Sequence, residues 1–310
     1  MKILITGVHG FVGSNLVKAL SKEHTIYGLD IISPIKDGVR HTFSWDFLDK
    51  PDEIPEVDAI IHLAGKAHDT KNQTVSDVYF KVNTGLTQKI YNYFLASKTA
   101  KKFIFFSTAK AAADKVDGVL TEDVVPSPKG PYGESKIAAE KYIQEHLAED
   151  KQVYILRPCM IHGPGNKGNL NLLYGVVKKG IPWPLGAFEN RRTFTSVENL
   201  CFVINGLLTK DVPTGIYNMG DDEALSTNEL IEEICKSLGK KAHIWKLPKG
   251  LMNGVAKIGG VLHLPLDSER LRKLTENYIS SNEKIKKALG VEKMPVDARE
   301  GLKTTLESFK

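Results

Sequence analysis

Thr6-Gly7-Val8-His9-Gly10-Phe11-Val12-Gly13 is the stretch on which the fold turns. It follows the apolar run Ile3-Leu4-Ile5 directly and leads into a helical pattern from Ser14 to Leu20. Glycines at 7, 10 and 13 permit a tight turn, close approach of backbone N–H groups to a pyrophosphate, and close packing of a helix on a strand. The helix N-terminus adds its own attraction for the anion. A glycine triplet alone is weak evidence, but a strand before it and a helix after it make it a dinucleotide-binding fingerprint. Gly7, Gly10, Phe11 and Val12 are therefore expected to contact a cofactor.

Outward from the loop, short apolar runs recur between amphipathic stretches: Thr25 to Leu29, Ala59 to Leu63, Phe103 to Phe106 and Val153 to Leu156. Such runs suit strands buried on both faces of a parallel sheet, and the helical pattern from Val82 to Ser97 supplies the alternation of a doubly wound α/β fold. The second run ends at Asp30, where a carboxylate accepts hydrogen bonds from ribose hydroxyls and repels a 2′-phosphate, so NAD is favoured over NADP. Asp46-Phe47 is expected at the adenine, a surface acid beside a core aromatic being the alternative. Leu63, Ala64 and Gly65 end the fourth run, where small residues let the backbone lie against the cofactor; His62 reads as a packed core histidine.

The length of 310 residues points to a nucleotide-binding unit over 1–165, with a return of the chain around 193–220, and a smaller, mainly substrate-binding α/β unit over 166–310. The loop Gly163-Pro164-Gly165-Asn166-Lys167-Gly168 leaves the sheet, and Ser226-Thr227-Asn228-Glu229 reads as a capping box opening a helix that Gly239 ends. The formal charge of +5 is read as scattered lysines on solvated faces, with no aromatic interleaving that would suit nucleic acid. Cys159, Cys201 and Cys235 lie too far apart for a disulfide framework, and no metal-ligand spacing is present. With strand-like residues from position 3 and no apolar stretch of bilayer-spanning length, the expectation is a cytoplasmic protein without signal peptide or integral membrane segment.

Tyr132-Gly133-Glu134-Ser135-Lys136 places a phenol and an ammonium on one face of a helix. A tyrosine that works as acid and base near neutrality must have its pKa lowered by about three units, roughly 4 kcal/mol, and an adjacent Lys136 together with a positive nicotinamide ring is expected to supply that field. Ser107-Thr108 ends the fifth run at the edge where ligands bind in open α/β sheets. A hydroxyl there either holds a reacting oxygen or satisfies the strand end.

Taken together, T-G-x-x-G-F-x-G at 6–13, Asp30, His62 to Gly65, Val82-Asn83-Thr84, Phe106-Ser107-Thr108, Pro131-Tyr132 to Lys136, and Leu156-Arg157-Pro158 with the later His162 to Gly165 resemble the NAD-dependent epimerase/dehydratase family of extended short-chain dehydrogenases. The resemblance implies a Rossmann-type sheet and an enzyme. It makes Tyr132 the acid/base, Lys136 the residue that orients the nicotinamide ribose and lowers the tyrosine pKa, Thr108 the hydroxyl beside it, and Asn83 a cofactor neighbour. It also implies a UDP-sugar substrate, met by Thr108, by Asn169 and Leu170 at the diphosphate, by Arg192 and by Arg270, and a homodimer through the helices around 82–97 and 132–145.

The two residues after Thr108 narrow the reaction. Dehydratases of the family carry Asp-Glu there, and this chain has Ala109-Lys110, which disfavours loss of water. A 4-epimerase of a UDP-hexose or UDP-N-acetylhexosamine and a 4-keto-6-deoxy sugar reductase use the same residues; the epimerase is placed ahead because Asp30 favours retained NAD. A non-catalytic NAD(H) sensor has no need of Thr108, Tyr132 and Lys136, and a steroid- or flavonol-type dehydrogenase has none for Arg192 and Asn169. The departures from the family pattern, Ala111-Ala112-Ala113 and Cys159-Met160, fall where the sugar pocket is expected.

Overall fold

The structure is a computed structural model that describes residues 1–50, 55–66, 75–166, 168–261 and 266–310. Its strands are β1 (Lys2–Thr6), β2 (Thr25–Leu29), β3 (Val39–Phe43), β4 (Ala59–His62), β5 (Lys102–Phe106), β6 (Val119–Leu120), β7 (Gln152–Pro158), β8 (Met160–His162), β9 (Phe194–Ser196), β10 (Gly215–Met219) and β11 (Ile279–Ser280). Seven form one sheet in the order β10-β7-β5-β4-β1-β2-β3, every pair parallel.

Two-residue alternation explains why the strand sequences are apolar throughout. Ile3, Ile5, Ala59, Ile61, Ile104, Phe106, Tyr154 and Leu156 face one buried cluster, which takes in Leu200, Val203, Ile204 and Leu207 of the helix Val197–Thr209. Leu4, Ile60, Phe103, Phe105, Val153 and Ile155 face the other, built with Tyr91 and Phe94 of the helix Leu86–Ala96 and Ala139 and Ile143 of the helix Pro131–Glu145. Helices thus cover both faces, the doubly wound arrangement expected from the runs.

A separate core, built mostly from helices, joins Leu170, Tyr174, Trp183, Leu230, Ile231, Ile234, Met252 and Leu302. The capping box is formed: the Ser226 hydroxyl accepts from the Glu229 N–H at 3.1 Å, and the Glu229 carboxylate accepts from the Ser226 N–H at 2.7 Å. Beyond β8, the chain returns to the large sheet through the helix Val197–Thr209 and β10. The turn between β9 and that helix is tied down by buried Asp221, which accepts from the Ser196 N–H and hydroxyl and from the Asn199 amide.

The strand order reverses between β1 and β4, and crevices of open α/β sheets lie outside the carboxyl ends of strands at such a point. Both strands end there, at Thr6 and His62, and the glycine loop begins where β1 stops.

Candidate active site

The loop after β1 is shaped by close backbone approach. Gly7 has φ +70°, and a methyl group at Gly13 would lie 2.3 Å from the Gly7 carbonyl oxygen, so neither position admits a side chain without displacement. The Thr6 hydroxyl accepts from the Leu63 and Ala64 N–H groups at 3.1 and 3.0 Å, fixing the end of β4 against the loop. Asp30 stands at the end of β2, its carboxylate accepting from the His9 N–H at 2.9 Å and the Ile31 N–H at 2.8 Å. It therefore anchors the loop. Phe11 and Val12 open the helix Phe11–Leu20. Asp46 is exposed on a 3₁₀ turn, whereas the Phe47 ring is buried against Phe43, with centroids 4.5 Å apart.

His62 is the core histidine the sequence suggests. It is fully buried between the Thr6 and Thr87 hydroxyls, at 2.7 and 3.0 Å, and burial first, then the Lys136 charge, holds its pKa well below the usual value.

Tyr132 and Lys136 lie on the helix Pro131–Glu145, which Pro131 starts after Gly130 at φ +86°. Gly133 lets this helix sit directly on the segment after Thr108: a methyl group there would be 2.7 Å from the Lys110 carbonyl oxygen. That contact sets Thr108 beside Tyr132, where its hydroxyl favours the ionised phenol. Low-dielectric surroundings hold the phenol above its ordinary pKa, and Thr108 is the group that opposes this, while Tyr79, whose ring lies edge-on with centroids 6.2 Å away, adds to the rise. The lowering is expected from Lys136 and a nicotinamide ring together, and the chain alone shows only the raised phenol. The Lys136 ammonium donates to the Phe106 carbonyl at 2.7 Å and lies 4.9 Å from the Phe105 ring centre. Lys136 is 5% exposed, and burial pulls its pKa down to about 8, against a raising effect of Glu140.

Asn83 belongs to a π-helical turn, Phe80–Gly85, inside a helical run from Ser76 to Ala96 that starts earlier than the Val82 read from the sequence. Its amide is fully committed. It accepts from the Lys66 N–H at 2.7 Å and donates to the Lys66 carbonyl and the Ser135 hydroxyl. Gly65 has room for this only because it lacks a side chain: a methyl group there would be 2.9 Å from the Asn83 oxygen and 3.2 Å from Lys136 Nζ. Such π turns are often found at functional sites.

Behind these groups lies an arrangement that sequence reading missed. Glu140, one turn beyond Lys136, is wholly buried and binds Arg157 through Nε and Nη2, the latter at 2.6 Å, and accepts from the Ser107 hydroxyl. In the sequence Leu156-Arg157-Pro158 contributes to the family resemblance, without naming Glu140 as its partner.

On the other side of Thr108, a wall of small and aromatic residues, Ala109, Ala112, Ala113, Cys159 and Tyr278, is buried together. Tyr278 donates to the Ala113 carbonyl at 2.9 Å. The Arg192 guanidinium points into this wall, near Glu276, Cys159 and Tyr278, and burial lowers its pKa. It donates to the Lys273 carbonyl. Arg270 is not brought to the same place: it is exposed, with Nε 3.6 Å from Asp267. Two positions further, about 200° around the helix, Arg272 reaches Asp114 at 3.4 Å, and Asp114 holds Lys110 at 2.8 Å. Asn169 is exposed at the start of the helix Asn169–Lys178, and the Leu170 side chain is buried in the separate core, leaving its backbone to face the loop. Cys159 and Cys235 are buried and Cys201 partly so.

Sheet, switch point and glycine loop define a Rossmann-type dinucleotide-binding protein. A sequence profile of the NAD dependent epimerase/dehydratase family matches residues 3–220. A UDP-glucose 4-epimerase of Vibrio cholerae is 32% identical, over 99% of this chain and 95% of that protein. The chain belongs to that family, and is an NAD-dependent enzyme. GDP-6-deoxy-D-mannose reductase of Pseudomonas aeruginosa is 25% identical over 74% of the chain and 78% of its own length. Among solved structures, UDP-glucuronic acid 4-epimerase of Bacillus cereus, in complex with UDP-glucuronic acid and NAD, shares the fold at a TM-score of 0.77, with 22% identity over 100% of this chain and 99% of that one.

Proposed function

We propose that the protein is a 4-epimerase of a UDP-hexose or UDP-N-acetylhexosamine, working through a 4-keto sugar. The observation that carries this reading is the placing of Thr108, Tyr132 and a buried Lys136 together at the carboxyl edge of the sheet, with Thr108 acting to favour the ionised phenol. Similarity to the Vibrio cholerae UDP-glucose 4-epimerase over nearly the full length supports the substrate class.

The residues present fit NAD: side-chain-free approaches at Gly7, Gly10 and Gly65, a carboxylate at Asp30, and Asp46, Phe47, Leu63, Ala64 and Asn83 around them. NAD, when bound, would supply the acceptor and donor of the C4 hydride. Tyr132 removes the proton of the C4 hydroxyl and gives it back, and Thr108 hydrogen-bonds the same oxygen. Lys136 keeps a positive potential beneath the phenol and holds the nicotinamide ribose. Arg192, with the first turn at Asn169 and Leu170, takes the diphosphate, for which an arginine fork is suited; Arg270, exposed beside Asp267, is not assigned to it. Dehydration has no support, because the turn after Thr108 offers methyl groups and a lysine already held by Asp114. In the same reading, residues 1–165 with 193–220 form the cofactor half, 166–310 mainly the substrate half, and two copies pair through the helices Leu86–Ala96 and Pro131–Glu145.

The test is NMR of the sugars after incubation of the purified protein with NAD and either UDP-glucose or UDP-N-acetylglucosamine. Appearance of the galacto epimer without net cofactor consumption is the expected result. No epimer, with stoichiometric oxidation of NAD(P)H when a UDP-4-keto-6-deoxy sugar is supplied, overturns it in favour of a reductase.

A further inference from the structure

The helix Lys249–Val261 carries two apolar stripes, and only one is covered by the chain. Met252 and Ala256 are buried in the separate core, with Gly259 on the same line. Leu251, Val255 and Ile258 repeat that spacing about 100° further round and are 55%, 42% and 59% exposed. Trp245, four residues before the helix, is 54% exposed. Scattered exposed apolar side chains are ordinary; three in register with a tryptophan nearby make a face.

The stretch of sequence that carries it is basic, with Asp267 of the next helix as the acid that packs against its end at Gly260. From Ile234 to Leu266 the chain has no Asp or Glu and six lysines, at 236, 240, 241, 246, 249 and 257, all exposed. Of the 42 lysines and arginines, the other 36 are balanced by 37 acids, so the positive surplus of the whole protein resides in this stretch rather than being scattered. Among the described residues only Lys236 of the six pairs with a carboxylate, Glu233 at 3.7 Å.

We propose that this face docks on an anionic lipid bilayer, the helix lying in the headgroup plane with Leu251, Val255, Ile258 and Trp245 dipping toward the acyl boundary and the lysines meeting lipid phosphates. Apolar insertion and basic attraction are each weak alone, and here they occur together. No helix of the described residues is long and apolar enough to cross a membrane, so the attachment is lateral and reversible. A second copy is a poor occupant, because it would bring the same six lysines against these.

The experiment is flotation of the full chain with vesicles of phosphatidylcholine, and of phosphatidylcholine containing about one-third phosphatidylglycerol. The protein is expected to bind the anionic vesicles at least roughly tenfold more tightly than the neutral ones, and to lose roughly tenfold or more in Leu251→Ser/Ile258→Ser and in Lys246→Gln/Lys249→Gln/Lys257→Gln. All five positions are exposed, and an unchanged melting temperature verifies that the variants fold. Absence of binding, equal binding to both vesicles, or binding retained by both variants overturns the proposal. So does conversion of a dimer to a monomer by Leu251→Ser/Ile258→Ser in sedimentation equilibrium, which would make the face a contact between copies.

Discussion

Two buried cations flank Glu140, and the protein treats them differently. Arg157 is held by Glu140 in a two-pronged ion pair that also takes the Ser107 hydroxyl. Lys136, one turn before Glu140 on the same helix, has a backbone carbonyl and an aromatic ring for company, and its pKa is drawn down to about 8. A paired charge has its field largely cancelled. An unpaired one costs stability and keeps its field for whatever binds above it. The contrast separates a structural corner from a working one, within a single helix.

The largest expected effect tests the working corner. In the proposed reaction Tyr132→Phe lowers turnover by about 10³-fold, equivalent to about 4 kcal/mol, with little change in melting temperature; the check is a steady-state assay beside a thermal melt. A drop in stability as large as the drop in rate would erase the distinction. Glu140→Gln probes the other corner. It is expected to destabilise the fold by about 3–4 kcal/mol in urea unfolding, because Arg157 is left buried without its counter-charge, and replacing both partners with Glu140→Gln/Arg157→Leu should recover much of that loss.

Lys136→Met comes next and runs the opposite way. The folded pKa of about 8 lies below the unfolded value of 10.5, so the unfolded chain holds the extra proton between them. The cost of burying the ammonium is therefore complete below pH 8 and disappears as pH rises toward 10.5. Unfolding at pH 7 should show the variant more stable by up to about 3 kcal/mol, with the advantage gone near pH 10.5, and turnover reduced at every pH. An advantage that does not shrink with pH would mean that packing, not charge, explains it. The smallest effect is that of Thr108→Val, which removes the hydroxyl partner of Tyr132. Loss of roughly tenfold in kcat/KM is expected, accompanied by a shift of the acidic limb of the pH–rate profile to higher pH, since Thr108 is the group that opposes the rise of the phenol pKa.

What the sequence disclosed was local. The glycine loop is legible because tight turns and close approaches demand glycine at particular offsets, and Tyr132 and Lys136 are legible because helical spacing sets them on one face. Asp30 is legible as the last residue of an apolar run, though not its bond to the His9 N–H, which depends on two loops meeting. Tertiary geometry hid the rest. Gly133 has no signature of its own, yet it sets how closely the helix approaches Lys110. The Glu140–Arg157 pair spans separate elements, and nothing in either segment names its partner. That Arg272 rather than Arg270 reaches Asp114 turns on which side of the helix faces that residue. The charge surplus is readable in principle, but its signal is the stretch from which acids are missing, not the places where lysines stand in pairs.

The strand order carries a consequence for how this chain is made. Six strands of the large sheet are complete by Pro158, but the seventh, β10, is not present until Met219 has been added, and the helix Val197–Thr209 that covers one sheet face comes just before it. On the ribosome, the nascent amino-terminal half therefore waits with β7 as an open edge and Ile104, Tyr154 and Leu156 uncovered, the condition in which partly made sheets stick to one another. Vectorial synthesis leaves the large sheet dependent on residues that emerge after the helix Asn169–Lys178 has been translated, so a fragment ending near residue 165 is expected to aggregate rather than to bind a dinucleotide.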